Sequence, residues 1–325
     1  MTTMRFLDVQ RERLCIANTT FPALLSKQCL IKVKAIGVNR ADILQRQGKY
    51  PAPKGESPIL GLEVSGILTE VPNNNLGYKV GDRVCGLVAG GGYAEYVAIN
   101  IEHIIKIPEH YSFEQGAGIA EVFLTAYQSL FSIAQLKPQQ KVLIHAGASG
   151  VGSAAIQLAK ALNCYVVTTV GSDEKAKACT VLGADITINY QKLDYVQWAK
   201  EHQCNFDVIL DVVAGEYLNK NLKVAAFDAR IVILSMLGGR FAEQVDIARM
   251  LQKRVQITAS TLRNRSDEYK AMLVNGFSHD FMYLLENKSI MPVIDHCYTW
   301  LAAEDAHQKM MSNKNIGKLI LTIDE

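Results

Sequence analysis

The sequence predicts an α/β protein in which a doubly wound parallel sheet is carried between two segments of a mostly β domain. Three observations predict it. Residues 141–152 (KVLIHAGASGVG) run from a short apolar strand into a glycine-rich turn and on into a helix. Between 122 and 260, strand-length apolar runs alternate with stretches of helical spacing. Residues 1–121 carry short β-like runs broken by Gly and Pro, and 261–325 return to mixed helix and strand.

In the first segment, 30–35 (LIKVKA) and 93–99 (YAEYVAI) read as strands. In the middle segment the strands are 141–145, 165–170 (YVVTTV), 186–189, 206–211 (FDVILD), 230–235 (RIVILS) and 255–259. A helix over 153–162 follows the first of these, and another spans 124–130 before it. The last segment gives a long helix at 267–286, a strand at 293–299, a helix at 304–311 and a strand at 318–323, which should pack back onto the first.

The turn after residue 145 reads as a dinucleotide-binding loop. Its pattern is Gly147-x-Ser149-x-x-Gly152, with Ser149 where the usual fingerprint has its second glycine. Pyrophosphate oxygens would meet backbone N–H groups at the start of the following helix. About 20 residues further on, the second strand ends in Val170-Gly171-Ser172. An NAD-specific unit usually ends that strand with Asp or Glu to hold the ribose 2′-hydroxyl, so this chain leaves room for a 2′-phosphate. Lys175, one turn into the next helix, is placed to reach such a phosphate, which favours NADPH. Asp173 is either a competing ribose ligand or a first-turn acid complementing the helix dipole.

Composition bounds the function classes. The chain has 325 residues, 49% hydrophobic and 20% charged, which suits a globular protein of about two domains. Its 34 basic and 32 acidic residues are interspersed and leave a net charge of +2, so no nucleic-acid stripe is evident. The N-terminal MTTMRFLDVQRER lacks an apolar leader core, and no stretch reaches the ~18 apolar residues of a membrane helix, so a cytoplasmic protein is expected. The seven cysteines are scattered without a CxxC pair, and the seven histidines show no metal-binding helix spacing. His145, just before the loop, lines the pocket or is a satisfied structural histidine.

The segments 37–51 (GVNRADILQRQGKYP), 60–66 (LGLEVSG), 81–84 (GDRV), 91–96 (GGYAEY), 145–152, 269–277 (YKAMLVNGF) and 313–318 (NKNIGK) together carry a resemblance. The chain resembles the zinc-independent quinone oxidoreductase branch of the medium-chain dehydrogenase/reductase superfamily over almost its whole length, the first thirty residues excepted. The resemblance implies a Rossmann sheet (122–260) inserted in a GroES-like, mostly β catalytic domain (1–121 and 261–325). It also implies a homodimer and NADPH held between the domains. Zinc enzymes of the superfamily place metal ligands where this chain has Asn39, Leu62 and, roughly, Glu121, and two of these three offer no good zinc donor. No metal is expected.

The implied reaction is transfer of hydride, or of electrons one at a time, from NADPH to a quinone, an ortho-quinone by preference, with the protein orienting the reactants. Tyr50 is the candidate hydrogen-bond donor to the quinone oxygen, or else a wall of the pocket that Asn39, Asp42 and Ser149 also shape. By the same resemblance Ser149, Gly150 and Val151 correspond to the pyrophosphate loop, and Gly171, Ser172, Lys175 and Tyr190 to the 2′-phosphate pocket. Gln128, Met236, Leu237, Gly238 and Asn315 would line the rest of the cofactor site. Two alternatives stay open: reduction of the C=C bond of an enal or enone on the same scaffold, and a non-enzymatic NADPH-binding, crystallin-like or RNA-binding role, the last weakened by the near-neutral charge.

Overall fold

The computed structural model describes residues 3–11 and 13–324. The chain divides into two compact units, one taking residues up to 124 and from 262 onward, the other residues 125–261. The first unit opens with an antiparallel hairpin, β1 (Thr3–Gln10) and β2 (Arg13–Thr20). Its main sheet is built on β3 (Gln28–Val38), followed by helix α1 (Arg40–Arg46). Then come β4 (Glu63–Glu70), β5 (Arg83–Leu87), β6 (Tyr96–Asn100), β7 (Ile104–Lys106), and helices α2 (Phe113–Gly116) and α3 (Ala120–Tyr127). β3 holds its place because β-branched residues fill its inward positions: Ile31, Ile36 and Val38 are fully buried and Val33 nearly so. Each such side chain contributes about 1.5–3 kcal/mol of burial.

The second unit is a six-stranded parallel sheet. Its elements alternate: β8 (Lys141–His145), α4 (Gly150–Ala161), β9 (Tyr165–Val170), α5 (Asp173–Val181), β10 (Ile186–Asn189), α6 (Tyr195–Glu201). They continue with β11 (Phe206–Asp211), α7 (Tyr217–Val224), β12 (Ala225–Ile233), α8 (Ile247–Lys253) and β13 (Gln256–Ala259). The strands lie in the order β10-β9-β8-β11-β12-β13 and every pair is parallel. The order reverses between β8 and β11, and ligands of such sheets bind outside the carboxyl ends of the strands at that reversal.

Two expectations shift here. β12 starts at Ala225, five residues before the predicted strand, because α7 ends at Val224 and Ala225 turns extended; Asp228 in its middle is left-handed (φ 59°), which hides the strand from an alternation pattern. The helix expected over 124–130 ends as α-helix at Tyr127 and continues as a π-helical turn, Gln128–Ile133.

The chain then returns to the first unit with α9 (Asp267–Glu286), β14 (Ile294–Thr299), α10 (Ala303–Met311) and β15 (Lys318–Thr322). Ser266 caps α9, its Oγ accepting from the Tyr269 amide, and Leu273, Val274, Phe277, Phe281 and Leu285 form its buried stripe at helical spacing. The seven-stranded sheet of this unit runs β14-β15-β3-β4-β5-β7, with β6 also paired to β3. The last strand is thus inserted beside β3, antiparallel to it through Leu319–Val38 and Leu321–Ile36.

Candidate functional site

In the second unit, β8 ends at His145 and the chain turns through a left-handed Ala146 (φ 53°). The turn is shorter than the predicted 147–152, because the helix already starts at Gly150. Ser149 is its N-cap, with Oγ accepting from the Gly152 amide at 3.0 Å. Its hydroxyl is therefore tied into the loop, though it keeps a proton to donate. Gly150 and Val151 occupy the first turn, where amides have no intrahelical acceptor and favour an anion. The glycines serve packing: a Cβ on Gly147 would stand 1.8 Å from Thr168 Oγ1, and one on Gly152 2.4 Å from the Ala146 carbonyl. A bare-backbone turn leading into a twelve-residue helix, at the point where the strand order reverses, fits a dinucleotide pyrophosphate.

His145 is the structural histidine. It is fully buried, with Nδ1 2.9 Å from Thr169 Oγ1 and Nε2 2.8 Å from Asn221 Oδ1, and burial holds its pKa below the usual histidine range.

The ribose-end candidates gather where β9 and β10 end. Ser172 caps α5, its Oγ accepting from the Lys175 amide at 3.2 Å. Gly171 lies against Tyr190: a Cβ there would sit 2.5 Å from the Tyr190 hydroxyl. Tyr190 itself is 46% exposed. Asp173 is bound elsewhere, to Lys192 Nζ at 2.5 Å and to Asn189 Nδ2 at 2.8 Å. Of its two sequence readings, a ribose ligand and a first-turn acid, this geometry favours the second, since both carboxylate oxygens already have donors.

Met236, Leu237 and Gly238 form a loop after β12, held to the loop after β11 by Leu237 N–H to Val212 O (3.3 Å) and Gly238 N–H to Val213 O (2.7 Å). Met236 and Leu237 are exposed. Gln128 is buried in the π-helical turn. In the first unit, Asn315 donates from Nδ2 to the Gly317 carbonyl at 2.8 Å, which fixes the turn into β15.

The catalytic candidates Asn39, Asp42 and Tyr50 all belong to the first unit. Asn39 bridges two charges: Nδ2 donates to Glu63 Oε1 at 3.0 Å, and Oδ1 accepts from Lys318 Nζ at 2.8 Å. Lys318 also bonds the Val38 carbonyl (2.9 Å) and pairs with Glu63 Oε1 at 2.5 Å, both side chains being buried. Glu63 Oε2 accepts from the Glu121 amide at 2.9 Å. So the position where zinc enzymes hold a ligand is woven into a buried ammonium–carboxylate pair. Glu121 stays partly accessible, yet burial of its carboxyl, and after it the Glu63 charge, raises its pKa to about 8.

Asp42, expected to help shape the pocket, braces the fold from within. It is fully buried and accepts from the Asn39 amide (2.8 Å), the Gly61 amide (3.2 Å) and the Tyr93 hydroxyl (3.2 Å). Burial raises its pKa to about 6 against the pull of those donors. Tyr93 in turn lies 2.9 Å from His307 Nε2, and His307 Nδ1 lies 3.5 Å from Arg46. Because arginine only donates, Nδ1 is the acceptor and Nε2 carries the proton.

Tyr50 lies on the loop after α1, half-buried, and its hydroxyl has no partner among the described residues. Burial raises its pKa, so the phenol keeps its proton. Over its ring, 5.5 Å from the centroid, stands the guanidinium of Arg263, a residue the sequence reading missed. Arg263 is 5% exposed, its Nε donates to the Ala89 carbonyl at 2.7 Å, and neither Nη has a partner among the described residues. The only sequence signal was a basic pair, Arg263 and Arg265, after the last parallel strand. Among the described residues, no three His, Cys, Asp or Glu side chains come together as a metal site.

Known proteins frame this geometry. Residues 26–109 match the model of the alcohol dehydrogenase GroES-like domain and residues 150–275 that of the zinc-binding dehydrogenases. The chain is 30% identical over 319 residues to the quinone oxidoreductase of Homo sapiens, covering 94% of this chain and 92% of that protein. It is 30% identical over 317 residues to the synaptic vesicle membrane protein VAT-1 homolog of Danio rerio, covering 93% of this chain but only 66% of that longer one. The structure of the quinone oxidoreductase from Coxiella burnetii superposes with a TM-score of 0.80 at 27% identity, over 99% of this chain and 100% of that one.

Proposed function

The chain belongs to the medium-chain dehydrogenase/reductase superfamily, and from that premise we propose that it is an NADPH-dependent quinone reductase that works without a metal. The observation that carries the reading is the Tyr50 hydroxyl, a protonated donor with no partner in the described chain. The likeness to quinone oxidoreductases supports the choice of acceptor. Ser149, Gly150 and Val151 would hold the dinucleotide pyrophosphate, and Gly171, Ser172, Lys175 and Tyr190 its 2′-phosphate end. These residues would hold a nicotinamide cofactor, which would supply the hydride. The chain's own part is to orient the acceptor and to offer Tyr50 to the oxygen on which charge develops. Lys318 serves here as a structural cation: its three acceptors are all internal, so it anchors Asn39 and Glu63 behind the site.

The reading includes a homodimer built on the edge of the second unit. Among the described residues β13 pairs only with β12, and nearby Phe241, Ile247 and Leu251 are 76%, 58% and 75% exposed. A monomer by light scattering at micromolar concentration would refute that.

The direct test is oxidation of NADPH and of NADH by chelator-treated protein, with 1,2-naphthoquinone and a conjugated enal as alternative acceptors. Fast NADPH oxidation with the quinone is the expected result. Turnover of the enal alone would make the protein an alkene reductase, and equal use of NADH would remove the assignment of the 2′-phosphate pocket.

A further inference from the structure

We propose that Arg263 is a substrate-binding residue whose guanidinium fork receives the oxygen atoms of the acceptor as they become anionic. The inference rests on the reductase reading above and assigns the residue that holds the substrate's oxygens. A guanidinium taken out of water is costly unless its hydrogen bonds are made, and paired ones are the rule in protein interiors. Arg263 is 5% exposed, and neither Nη group has a partner among the described residues, so two donors are left for the oxygens of a bound molecule.

The rest of the side chain is held in place. Nε is committed to the Ala89 carbonyl, and the guanidinium rests over the Tyr50 ring, so the two free NH2 groups point in a set direction. The acids around it act on it through space, and none of them bonds its fork. Glu121 is raised to about 8 and is mostly protonated at neutral pH, Asp42 spends both oxygens on other donors, and Glu56 is exposed. With Tyr50 beside it, the place offers uncommitted donors and a positive charge that no carboxylate bonds directly. Its complement is oxygen carrying negative charge.

A quinone that takes up a hydride becomes a hydroquinone monoanion, with the displaced electron pair on oxygen, and one proton from water completes the hydroquinone. Adjacent oxygens of an ortho-quinone match the two parallel NH2 groups as a carboxylate does, whereas the opposed oxygens of a para-quinone offer the fork only one atom. Arg263 therefore acts as a selector of vicinal oxygens as well as a charge receptor.

The test compares wild type with Arg263→Lys and Arg263→Met, each checked for an unchanged thermal transition. With 1,2-naphthoquinone, Arg263→Lys should lose about ten- to a hundredfold in kcat/KM, and with 1,4-naphthoquinone only a few-fold. An equal fall on both, or no fall on either, overturns the proposal. A second arm needs no turnover. The protein is titrated with 4-nitrocatechol, whose visible absorption reports its ionisation. Wild type should bind it and pull its ionisation to lower pH, and Arg263→Met should abolish that displacement. Failure of wild type to bind or to shift it, or an undiminished shift in the Met variant, overturns the proposal. A shift that depends on Arg263 in a protein that reduces only the enal would keep the oxyanion site and discard the quinone reading.

Discussion

Lys318 Nζ stands 2.5 Å from Glu63 Oε1, with 3% of the lysine side chain and none of the glutamate accessible to water. The two are 255 positions apart in sequence (318 minus 63), and Asn39 links them through its amide. Each charge is buried and meets its opposite at its shortest contact, while the Lys318 charge also reaches Asp42 and Glu121.

Removing one partner should therefore be severe. Lys318→Met is expected to lower the unfolding free energy by about 3–5 kcal/mol, because Glu63 is left charged and buried. The double variant Glu63→Gln, Lys318→Met should recover much of that loss. Urea denaturation of wild type, Lys318→Met, Glu63→Gln and the double variant checks it, and simple additivity would refute the coupling.

Tyr50→Phe keeps the ring under Arg263 and removes only the hydroxyl. A donor to developing negative charge contributes about 1.5–3 kcal/mol, so kcat/KM for 1,2-naphthoquinone should fall about ten- to a hundredfold with the fold intact. Full activity in this variant would leave Tyr50 as a wall of the pocket.

Cofactor choice should turn on Lys175. Lys175→Ala is expected to weaken NADPH by about ten- to a hundredfold while leaving NADH nearly unchanged, read as the ratio of the two kcat/KM values. Lys192, already bound to Asp173, is the control: its replacement by Ala should change that ratio far less.

Glu121 should make stability depend on pH. Burial first, then the Glu63 carboxylate, raise its pKa from 4.5 to about 8. Between those values the folded chain holds a proton that the unfolded chain has released. The contribution is complete below about 4.5 and is lost as pH rises through about 8. Glu121→Gln has no such proton. Its unfolding free energy should gain on wild type as pH goes from about 5 to about 8, by at most about 1.4 kcal/mol per unit. A constant difference across that range would contradict the raised pKa.

The parallel sheet was legible because its strands are short, apolar and bounded by turns: β8, β9, β10 and β11 occupy the residues that periodicity assigns them. Local pattern failed where geometry is set from outside the segment. β12 hides behind the left-handed Asp228, and the π-helical turn at Gln128 has no periodicity of its own. The site was half legible. Tyr50 and the loop at Ser149 carry local signals, whereas Asp42 reads as a polar pocket residue until its three donors, from Asn39, Gly61 and Tyr93, are seen. The Lys318–Glu63 pair and the free Nη groups of Arg263 depend on which distant segments meet, and no spacing in one dimension encodes that.

The seat of β15 between β14 and β3 sets an order on synthesis. When the ribosome has delivered residues 125–261, every strand of the six-stranded sheet is present and that unit can close. The sheet begun by β3 cannot. Its 35–38 edge waits, unpaired, for a strand that emerges some 280 residues later (318 minus 38), and Glu63 waits with it for its counter-charge. A nascent chain stalled before Lys318 would thus carry a finished nucleotide fold on an unfinished partner, a species for chaperones and proteases to meet.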